Sequence, residues 1–359
     1  LGEIPGFTAE DVRRAAAQAR QAWPGWSETS FARRREIILK ARAYILEHID
    51  ETALVITRAS GKPLCEALSS EIYPVLDLMS YFAKNAGRFL RPQRLGIGIW
   101  NLMLRSSVVH FKPRGLIGII SPWNYPFAIP MGEIVMALLA GNCVLHKAAS
   151  AALPVGLKIS EILRAAGLPA GVFTNLPGDS SVGTALIEAK VDKLLFTGSV
   201  GVGRKVMELA SRNLTPVVME LGGNDPMNVR ADADLDVASS AAVWGAFTNS
   251  GQVCASVERV YVHASVAEDF LGRVVAKTKA LRQGPGEAHD VDVGAMTTAE
   301  QLCAVEEQVR EAQVRGAKIL TGGERNPAYP EGLFYQPTVI TGVDHSFRAV
   351  REETFGPTL

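Results

Sequence analysis

The chain has 359 residues, and its 37 Lys plus Arg balance its 37 Asp plus Glu, so the formal net charge is zero. A chain without net charge has no overall field that attracts nucleic acid or acidic lipid, and we expect neither as a partner. Apolar residues make up 47% and charged residues 21% of the chain, as in ordinary globular proteins. Pro or Gly breaks every apolar run well before the roughly 18 residues of a membrane span, so we predict a soluble protein.

The cysteines and histidines give no sign of a disulfide framework or a metal site. The four cysteines lie far apart without a C-x-x-C pair, and none of the six histidines has metal-ligand spacing to a Cys or another His. We therefore predict no metal. We also predict a cytoplasmic location, since no secretory leader is recognised. Neither end has a cap or turn that completes a domain, so we expect the chain to be part of something longer.

The first 92 residues are predicted to be helical. Thr8 and Asp11 have the spacing of a capping box, and apolar residues follow them at helical spacing. Gly61 and Pro63 predict the end of a later helix, and Pro74 predicts the start or a kink of the next one. Segments of β type over residues 95–100 and 107–111 then predict a hairpin.

From residue 116 onward, short apolar runs alternate with helical segments. This alternation predicts right-handed βαβ units and a doubly wound parallel sheet. Ligands of such sheets bind beyond the carboxyl ends of the strands, so the residues after each strand are the ones to inspect. The predicted strands are Leu116–Ile120, Cys143–Lys147, 172–176, 193–196 and 217–221.

A second α/β unit is predicted after a boundary near residue 223. Asp234 is expected to cap a helix that ends at residues 249–251. Beyond it the pattern alternates again between strand and helix. The predicted elements are a strand at 259–263, helices at about 267–282 and 299–315, and a strand at 318–321.

Polar residues with chemical potential follow several strands of the first unit. Asn124 lies between two prolines that hold its side-chain amide in place, although an Asn in such a loop is often only a turn residue. Lys147 ends the second strand, where a lysine commonly extends to solvent. Residues 196–203 form a Gly-rich turn that opens a helix, as at phosphate sites, although glycine also serves steric needs there. Glu220 ends an apolar strand, where a half-buried carboxylate has a raised pKa and can act as a base.

Cys254 differs from the other three cysteines in its surroundings. A cysteine is usually a small buried hydrophobe, but Cys254 follows a predicted helix end and has Gly and polar neighbours, which favour an exposed loop. Cys65 and Cys303 lie within helical patterns and Cys143 within a strand, so we expect no chemistry from them. No His or Asp stands out as a cysteine-protease partner.

Six motifs in order, spread along the chain, resemble those of the aldehyde dehydrogenase superfamily. The resemblance implies an α/β fold with a doubly wound parallel-sheet cofactor domain, an α/β catalytic domain and a β-hairpin oligomerisation element. The motifs are Pro122-Trp-Asn-Tyr-Pro126, Gly141-Asn-x-x-x-x-Lys147, Phe196-Thr-Gly-Ser199, Glu220-Leu-Gly-Gly223, Gly251-Gln-x-Cys254 and Glu352-Glu-x-Phe-Gly-Pro357.

The resemblance also implies a division into domains. We assign residues 1–94 and 114–222 to the dinucleotide-binding domain, 95–113 to the oligomerisation hairpin, and 223–359 to a catalytic domain that is incomplete at its C-terminus. A full-length protein of this kind is expected to be a homodimer or homotetramer. We expect the chain by itself to be poorly soluble or inactive.

Each motif carries an implied role. Cys254 is expected to be the nucleophile, Asn124 the oxyanion donor and Glu220 the general base. The implied cofactor is NAD or NADP, with Lys147 at its adenine ribose, Ser199 at its pyrophosphate, Glu353 at its nicotinamide ribose and Phe355 packing beside it. The full set of expected cofactor-binding residues is Ser121, Trp123, Lys147, Ser150, Gly198, Ser199, Gly203, Leu221, Glu353 and Phe355.

The implied reaction oxidises an aldehyde to a carboxylic acid through a thiohemiacetal and a thioester on Cys254, with hydride transfer to NAD(P) followed by hydrolysis. A carboxylate at Glu220 fits hydrolysis of the thioester. Two alternatives stay open: a CoA-acylating aldehyde dehydrogenase or thiol esterase using the same cysteine, and a cofactor-binding structural protein without turnover.

Some positions depart from the family pattern or leave the substrate undefined. Ser150 stands where relatives often have an acid that would repel a 2′-phosphate, so we expect NADP to be accepted. Glu133 and Asn224 stand where many relatives have Lys, and neither has a predicted role. Near the nucleophile, apolar side chains favour an aliphatic or aromatic aldehyde: Trp244, Phe247, Val253 and Ala255.

Overall fold

A computed structural model describes residues 4–99, 105–288 and 290–359. The first part is helical, as predicted. The capping box is confirmed, because Thr8 accepts from the Asp11 backbone N–H while the Asp11 carboxylate accepts from that of Thr8. Gly61, at φ 81°, ends the third helix, a left-handed conformation that glycine adopts readily. The elements are α1 Ala9–Glu28, α2 Phe31–Glu47, α3 Ile49–Ser60, α4 Leu64–Glu66, a π-helical segment Ala67–Ile72 and α5 Tyr73–Phe89.

Two short antiparallel strands follow, β1 Gln93–Leu95 and β2 Ser107–Val109, with Gln93 opposite Val109. The predicted strand over 95–100 is wrong in position, because β1 ends where that strand was expected to begin. Gly98 has a φ of 60°, which is incompatible with a continuing strand. Residue 100 of that prediction lies outside the described residues. The second predicted strand, 107–111, is shortened to 107–109.

The central sheet is parallel, in the order β5-β4-β3-β6-β7. The α/β class and the doubly wound parallel sheet are therefore confirmed. Since the strand order runs one way from β3 and the opposite way from β6, a crevice forms at the carboxyl ends of these two strands. The elements are β3 Leu116–Ile120, α6 Ala128–Leu139, β4 Cys143–Lys147, α7 Leu153–Ala165, β5 Phe173–Asn175, α8 Ser180–Glu188, β6 Lys193–Thr197, α9 Val200–Ser211 and β7 Val217–Glu220.

One apolar core joins the N-terminal helices to this sheet. Val12, Ile38, Ile119, Val144 and Leu194 are almost completely buried in it. Burial of side chains of this size typically stabilises a fold by about 1.5–3 kcal/mol each. The core therefore holds the carboxyl ends of the strands in fixed positions.

The second unit has its own core, which includes Val229, Ala246 and Phe270. Asp234 caps α10 as predicted, whereas strands β8 and β11 were not predicted, since Pro226 and polar residues interrupt the apolar pattern of β8. β8 pairs in parallel with β9, and β10 pairs with β11 in antiparallel fashion. The elements are β8 Asp225–Val229, α10 Leu235–Phe247, a 3₁₀ segment Thr248–Gly251, β9 Val257–Val262, α11 Ala267–Lys279, α12 Ala299–Val314, β10 Lys318–Thr321, β11 Val339–Thr341 and α13 Arg348–Arg351.

In the described ranges, no helix combines the length and apolar character needed to cross a bilayer.

Candidate active site

The carboxyl ends of the parallel strands open into a cavity of about 370 Å³. Residues from the ends of β3, β4, β6 and β7 meet there with Cys254 and with the segment that follows α13. Ser150 and Gly203 are outside its lining, although their neighbours Ala149 and Val202 line it. The other expected site residues all line it: Ser121, Trp123, Asn124, Lys147, Gly198, Ser199, Glu220, Leu221, Cys254, Glu353 and Phe355.

Cys254 is exposed at the end of a strained turn. Asn249 and Ser250, at φ 52° and 55°, precede Gly251 at φ 71°, and non-glycine residues adopt such angles only when their surroundings hold them there. The Glu66 carboxylate accepts the Asn249 backbone N–H at 2.9 and 3.0 Å, and the Ser250 hydroxyl donates to the Gly294 carbonyl at 2.9 Å. These contacts fix the direction from which the thiol enters the cavity.

The resting charge of the cysteine depends on its surroundings. Partial burial of the sulfur raises the pKa of the Cys254 thiol above its usual value, and the nearby carboxylates of Glu353 and Glu220 raise it further. Both effects disfavour the negatively charged thiolate. The fraction of reactive thiolate therefore increases as pH rises.

Asn124 is buried with its side chain directed toward the cysteine loop. Its Nδ2 donates to the Gln252 carbonyl at 2.9 Å, and since an amide nitrogen carries two hydrogens, a second donor is left for another acceptor. The backbone carbonyl of Asn124 accepts from Lys62 Nζ at 2.8 Å and from Asn249 Nδ2 at 2.9 Å. Asn124 is thus held through its side-chain nitrogen and also through its backbone carbonyl.

Glu220 ends β7 and is exposed, so the expectation of a half-buried carboxylate is wrong. β7 is one of the two edge strands of the sheet, and among the described residues one of its sides has no neighbouring strand that would cover its end. The carboxylate still lines the cavity that contains Cys254. Its charge also acts on Glu133, whose pKa is raised to about 8, first by burial and then by Glu220.

The first turn of α9 borders the cavity. Ser199 caps this helix, accepting the Val202 N–H at 3.4 Å, and a Cβ added to Gly201 would meet no atom within 4 Å. At Gly203 a Cβ would approach the Leu221 side chain to 2.7 Å, so glycine allows helix and strand to pack closely. A helix N-terminus with open space before it can bind a phosphate group.

Lys147 is the only cation that lines this cavity among the described residues. Burial lowers the pKa of its ammonium group, while the charge of Asp179 opposes that shift. Ser150 is exposed, and its hydroxyl donates to the Gly178 carbonyl at 3.3 Å.

Ser121 follows β3 and contacts a buried histidine. Its Oγ lies 2.8 Å from His146 Nε2. Burial lowers the pKa of His146 to about 3, which keeps the ring neutral.

A further segment closes the cavity from the second unit. Glu353 Oε1 accepts the Gly223 N–H at 3.1 Å, and Phe355 packs edge-on against Trp123 with ring centroids 5.4 Å apart. The buried Glu258 carboxylate accepts the backbone N–H groups of Thr354 at 2.7 Å and Phe355 at 2.9 Å. Burial raises the pKa of Glu258 to about 7.

Sequence reasoning missed several residues that hold the site. The sequence contained one local signal for Glu258, an acid on the inward face of an apolar strand, and no local signal for Lys62 or Glu71.

Asn224 and Glu133, the two positions without a predicted role, differ in their hydrogen bonds. Asn224 Nδ2 donates to the Glu352 carbonyl at 2.9 Å, while Glu133 Oε2 has no hydrogen-bond partner in the described part of the chain.

The residues expected near the substrate lie partly elsewhere. Trp244 and Phe247 line a second cavity of about 650 Å³ that is not purely apolar, since Glu66, Lys277 and Asp292 also line it. Arg259 does not line the cavity with Cys254, and its Nε donates to the Asn224 carbonyl at 3.0 Å. In the described ranges, no group of three or more His, Cys, Asp or Glu side chains is placed to hold a metal ion.

The model of the aldehyde dehydrogenase family matches residues 1–359. A 4,4′-diapolycopene aldehyde oxidase from Methylomonas sp is 38% identical over 361 residues, covering 100% of this chain and 66% of that protein. The chain thus spans slightly less than two thirds of this relative's length.

Solved structures agree closely with the fold. The E. coli NADP dependent enzyme has a TM-score of 0.94 at 32% identity, covering 100% of this chain and 73% of that one. An NAD-dependent aldehyde dehydrogenase from Sinorhizobium meliloti has a TM-score of 0.93 at 36% identity, covering 99% and 70%.

Proposed function

The chain belongs to the aldehyde dehydrogenase family, and from that premise we propose that it oxidises an aldehyde to a carboxylic acid with NAD or NADP as electron acceptor. One observation carries this proposal: Cys254, Asn124 and Glu220 line a single cavity at the carboxyl ends of the parallel strands. A nucleophile, an amide donor and a carboxylate are the groups that this chemistry requires.

The residues around the cavity fit a dinucleotide. The open N-terminus of α9 suits a pyrophosphate, and Lys147 suits a ribose or its phosphate. Glu353 and Phe355 lie beside Cys254 in the cavity lining, as required of residues that hold a nicotinamide near the nucleophile. A bound nicotinamide would supply the hydride acceptor.

The thiolate of Cys254 would attack the aldehyde carbon and form a thiohemiacetal. The negative oxygen would accept hydrogen bonds from Asn124 Nδ2 and from the backbone N–H of Cys254, and one such donor is typically worth about 2.7–4 kcal/mol. Loss of hydride converts the adduct to a thioester. Glu220 would then take a proton from water, which attacks the thioester and releases the acid and the thiol.

Two alternatives are less well supported. A CoA-acylating enzyme does not need a carboxylate beside the thioester, whereas Glu220 lines this cavity. A thiol esterase would use the same carboxylate but would not reduce NAD(P). A cofactor-binding protein without turnover has no need for an exposed cysteine at a strained turn next to an amide donor. Formation of the acid without added CoA, with reduction of NAD(P), distinguishes the leading proposal from both.

Two finer assignments are also proposals. The exposed residues Leu95, Val108 and Val109 of the β1–β2 hairpin support a homodimer or homotetramer in which a second copy covers them. All four cysteines are free thiols, which supports a cytoplasmic location, where thiols stay reduced.

Substitution of the proposed nucleophile and base tests the reaction. Cys254→Ser is expected to abolish both the pre-steady-state burst of NAD(P)H and steady turnover, because no thiohemiacetal forms. Glu220→Gln is expected to retain the burst but slow steady turnover by about 100-fold or more, since only hydrolysis needs the base. Stopped-flow absorbance measures both phases.

Cys303→Ser provides the matched control, because Cys303 is an exposed cysteine on α12 outside the cavity. It is expected to behave as the wild type does. Aldehyde oxidation that survives Cys254→Ser would refute the proposal.

A further inference from the structure

A buried ion pair lies directly against the loop that carries Asn124. Lys62 Nζ is 2.6 Å from Glu71 Oε1, and both side chains are 0% exposed. Lys62 Nζ also donates to the Asn124 carbonyl at 2.8 Å. Glu71 Oε2 accepts the backbone N–H of Phe127 at 2.8 Å and of Ala128 at 2.9 Å. The pair therefore holds the chain on both sides of Tyr125 and Pro126.

We propose that Lys62 and Glu71 are positioning residues for the reaction, which hold the side-chain amide of Asn124 where the oxyanion forms. The inference rests on the proposed function, since it concerns the oxyanion of that reaction. Neither residue lines the cavity with Cys254, so neither touches the reacting atoms.

The energetics of the pair favour a positioning role over simple stabilisation. Removing two charges from water costs about as much as their mutual attraction returns, and apolar residues often replace such pairs without loss of stability. Apart from the bond that joins them, the side-chain hydrogen bonds of this pair within the described ranges all run to residues 124, 127 and 128. Lys62 Nζ also lies 4.1 Å from the centroid of the Tyr125 ring, which is a favourable cation–π distance.

The opposite side of Asn124 is tied to the nucleophile loop. Asn249 Nδ2 donates to the Asn124 carbonyl at 2.9 Å and to the Gln252 carbonyl at 3.1 Å. The Gln252 carbonyl also accepts Asn124 Nδ2 at 2.9 Å. Gln252 is two residues before Cys254, so these bonds relate the amide to the sulfur. Loss of the ion pair would leave Asn124 held from this side alone.

Glu71 lies in the π-helical segment Ala67–Ile72 between α4 and α5. A π-helical turn is rare and less favourable than a continued α-helix, and it commonly occurs at functional sites. By inserting an extra residue per turn, it changes the direction of the side chains that follow. Here the π-helical segment contains Glu71, whose carboxylate accepts backbone hydrogen bonds at the start of α6.

The double variant Lys62→Met/Glu71→Gln tests the proposal, because it removes both charges of the pair together and leaves neither member as a buried charge without its partner. We expect kcat for aldehyde oxidation to fall about tenfold or more, as misplacement of one oxyanion donor predicts. KM for NAD(P) and the rate of Cys254 alkylation by iodoacetamide are expected to stay within about twofold, since both depend on other contacts.

A double-mutant cycle separates positioning from general structural damage. In an Asn124→Ala background, the same double substitution is expected to lower kcat by less than about twofold, because the amide that it misplaces is already gone. Multiplicative losses in the two backgrounds would overturn the proposal. The exposed ion pair of Arg58 and Glu287 gives the matched control, Arg58→Met/Glu287→Gln, which is expected to leave kcat unchanged.

Hydrogen exchange gives a readout that does not depend on the proposed reaction. In the ligand-free protein, the backbone amides of residues 123–125, 127 and 128 are expected to exchange faster in the double variant, whereas the amides of α9 are expected to exchange at an unchanged rate. Unchanged exchange in residues 123–128 would overturn the inference even if the enzyme oxidises aldehydes. Faster exchange in a protein that oxidises none would instead refute only the proposed function.

Glu71→Asp covers the case in which the double variant does not fold. It keeps the charge, but its shorter side chain cannot reach Lys62 and both backbone amides together. We expect the same selective loss of kcat and the same local increase in exchange. A Glu71→Asp enzyme with wild-type kcat and exchange would contradict the proposal.

Discussion

Glu133 on α6 is a half-buried residue whose carboxylate atom Oε2 is buried and has no hydrogen-bond partner in the described ranges. Burial, followed by the negative charge of Glu220, raises its pKa from 4.5 to about 8. A carboxyl in these surroundings is mostly protonated at physiological pH, because the protein does not solvate its charge.

The shifted pKa of Glu133 predicts a pH-dependent effect on stability. Between pH 4.5 and about pH 8 the unfolded chain releases a proton that the folded chain retains, so the folded state binds more protons and stability falls as pH rises. Glu133→Gln removes this loss. The free energy of unfolding of the variant relative to wild type is expected to increase with pH by up to about 1.4 kcal/mol per pH unit.

Urea denaturation at about pH 5.5 and about pH 7.5 measures this difference. Glu352→Gln serves as the control, because the pKa of Glu352 is lowered and not raised. Arg348 lowers it below its usual value, so the Glu352 carboxylate keeps its charge at both pH values. That variant is expected to gain no stability between the two pH values. A pH-independent effect of Glu133→Gln would contradict the assigned pKa.

At the scale of elements, the end of β4 determines which groups would meet the adenosine side of the proposed cofactor. Lys147 is its last residue, and Ser150 begins a 3₁₀ segment, Ser150–Ala152, three residues later. The serine leaves Lys147 without an acid from this turn. Ser150→Glu is expected to lower kcat/KM for NADP relative to NAD by about tenfold, because a carboxylate repels the 2′-phosphate by about 1.4 kcal/mol.

Steady-state kinetics with both cofactors tests this expectation. Ser150→Gln is the matched control, since it adds nearly the same side-chain volume without the charge, and it is expected to preserve the wild-type preference. A wild-type ratio of kcat/KM for NADP over NAD well below one would contradict the assignment of Lys147 to the 2′-phosphate. Equal effects of Glu and Gln at position 150 would show that size, and not charge, matters there.

At the scale of the whole molecule, the two units meet at residues 61–63, the segment between α3 and α4 that contains Lys62. The Gly61 carbonyl accepts the Ala295 N–H at 3.2 Å, and the Gly286 carbonyl accepts the Leu64 N–H at 2.9 Å. A Cβ added to Gly294 would collide with the Gly61 carbonyl oxygen. This backbone contact orients the second unit relative to the first.

Gly294→Ala is expected to destabilise the protein by about 1–3 kcal/mol, as other overpacked contacts do. Gly272, on α11, is the matched control, because a Cβ there meets no atom within 4 Å. Gly272→Ala is expected to be neutral or to stabilise by up to about 1 kcal/mol. Urea denaturation of both variants measures the difference, and equal stabilities would show that the contact is not tight.

Local patterns predicted much of the fold. The bounds of β3, β4 and β10 agree with the predicted strands, because a short apolar run between turn residues is a signal contained within a few residues. The caps at Thr8 and Asp234 were predicted for the same reason. β8 escaped prediction, because Pro226 and its polar neighbours gain their strand conformation from pairing with β9 and not from their own pattern.

The candidate site divides in the same way. The sequence by itself determined which residues end the strands and which cysteine lies in a loop, since periodicity, caps and motif spacing act over short distances. Only the tertiary structure decided that Lys62 reaches Asn124 across 62 positions and that Glu258 reaches Phe355 across 97. Exposure of Glu220 and burial of Glu133 were likewise decided by packing. A buried charge is stable only beside its partners, and those partners come together only when distant segments have folded against each other.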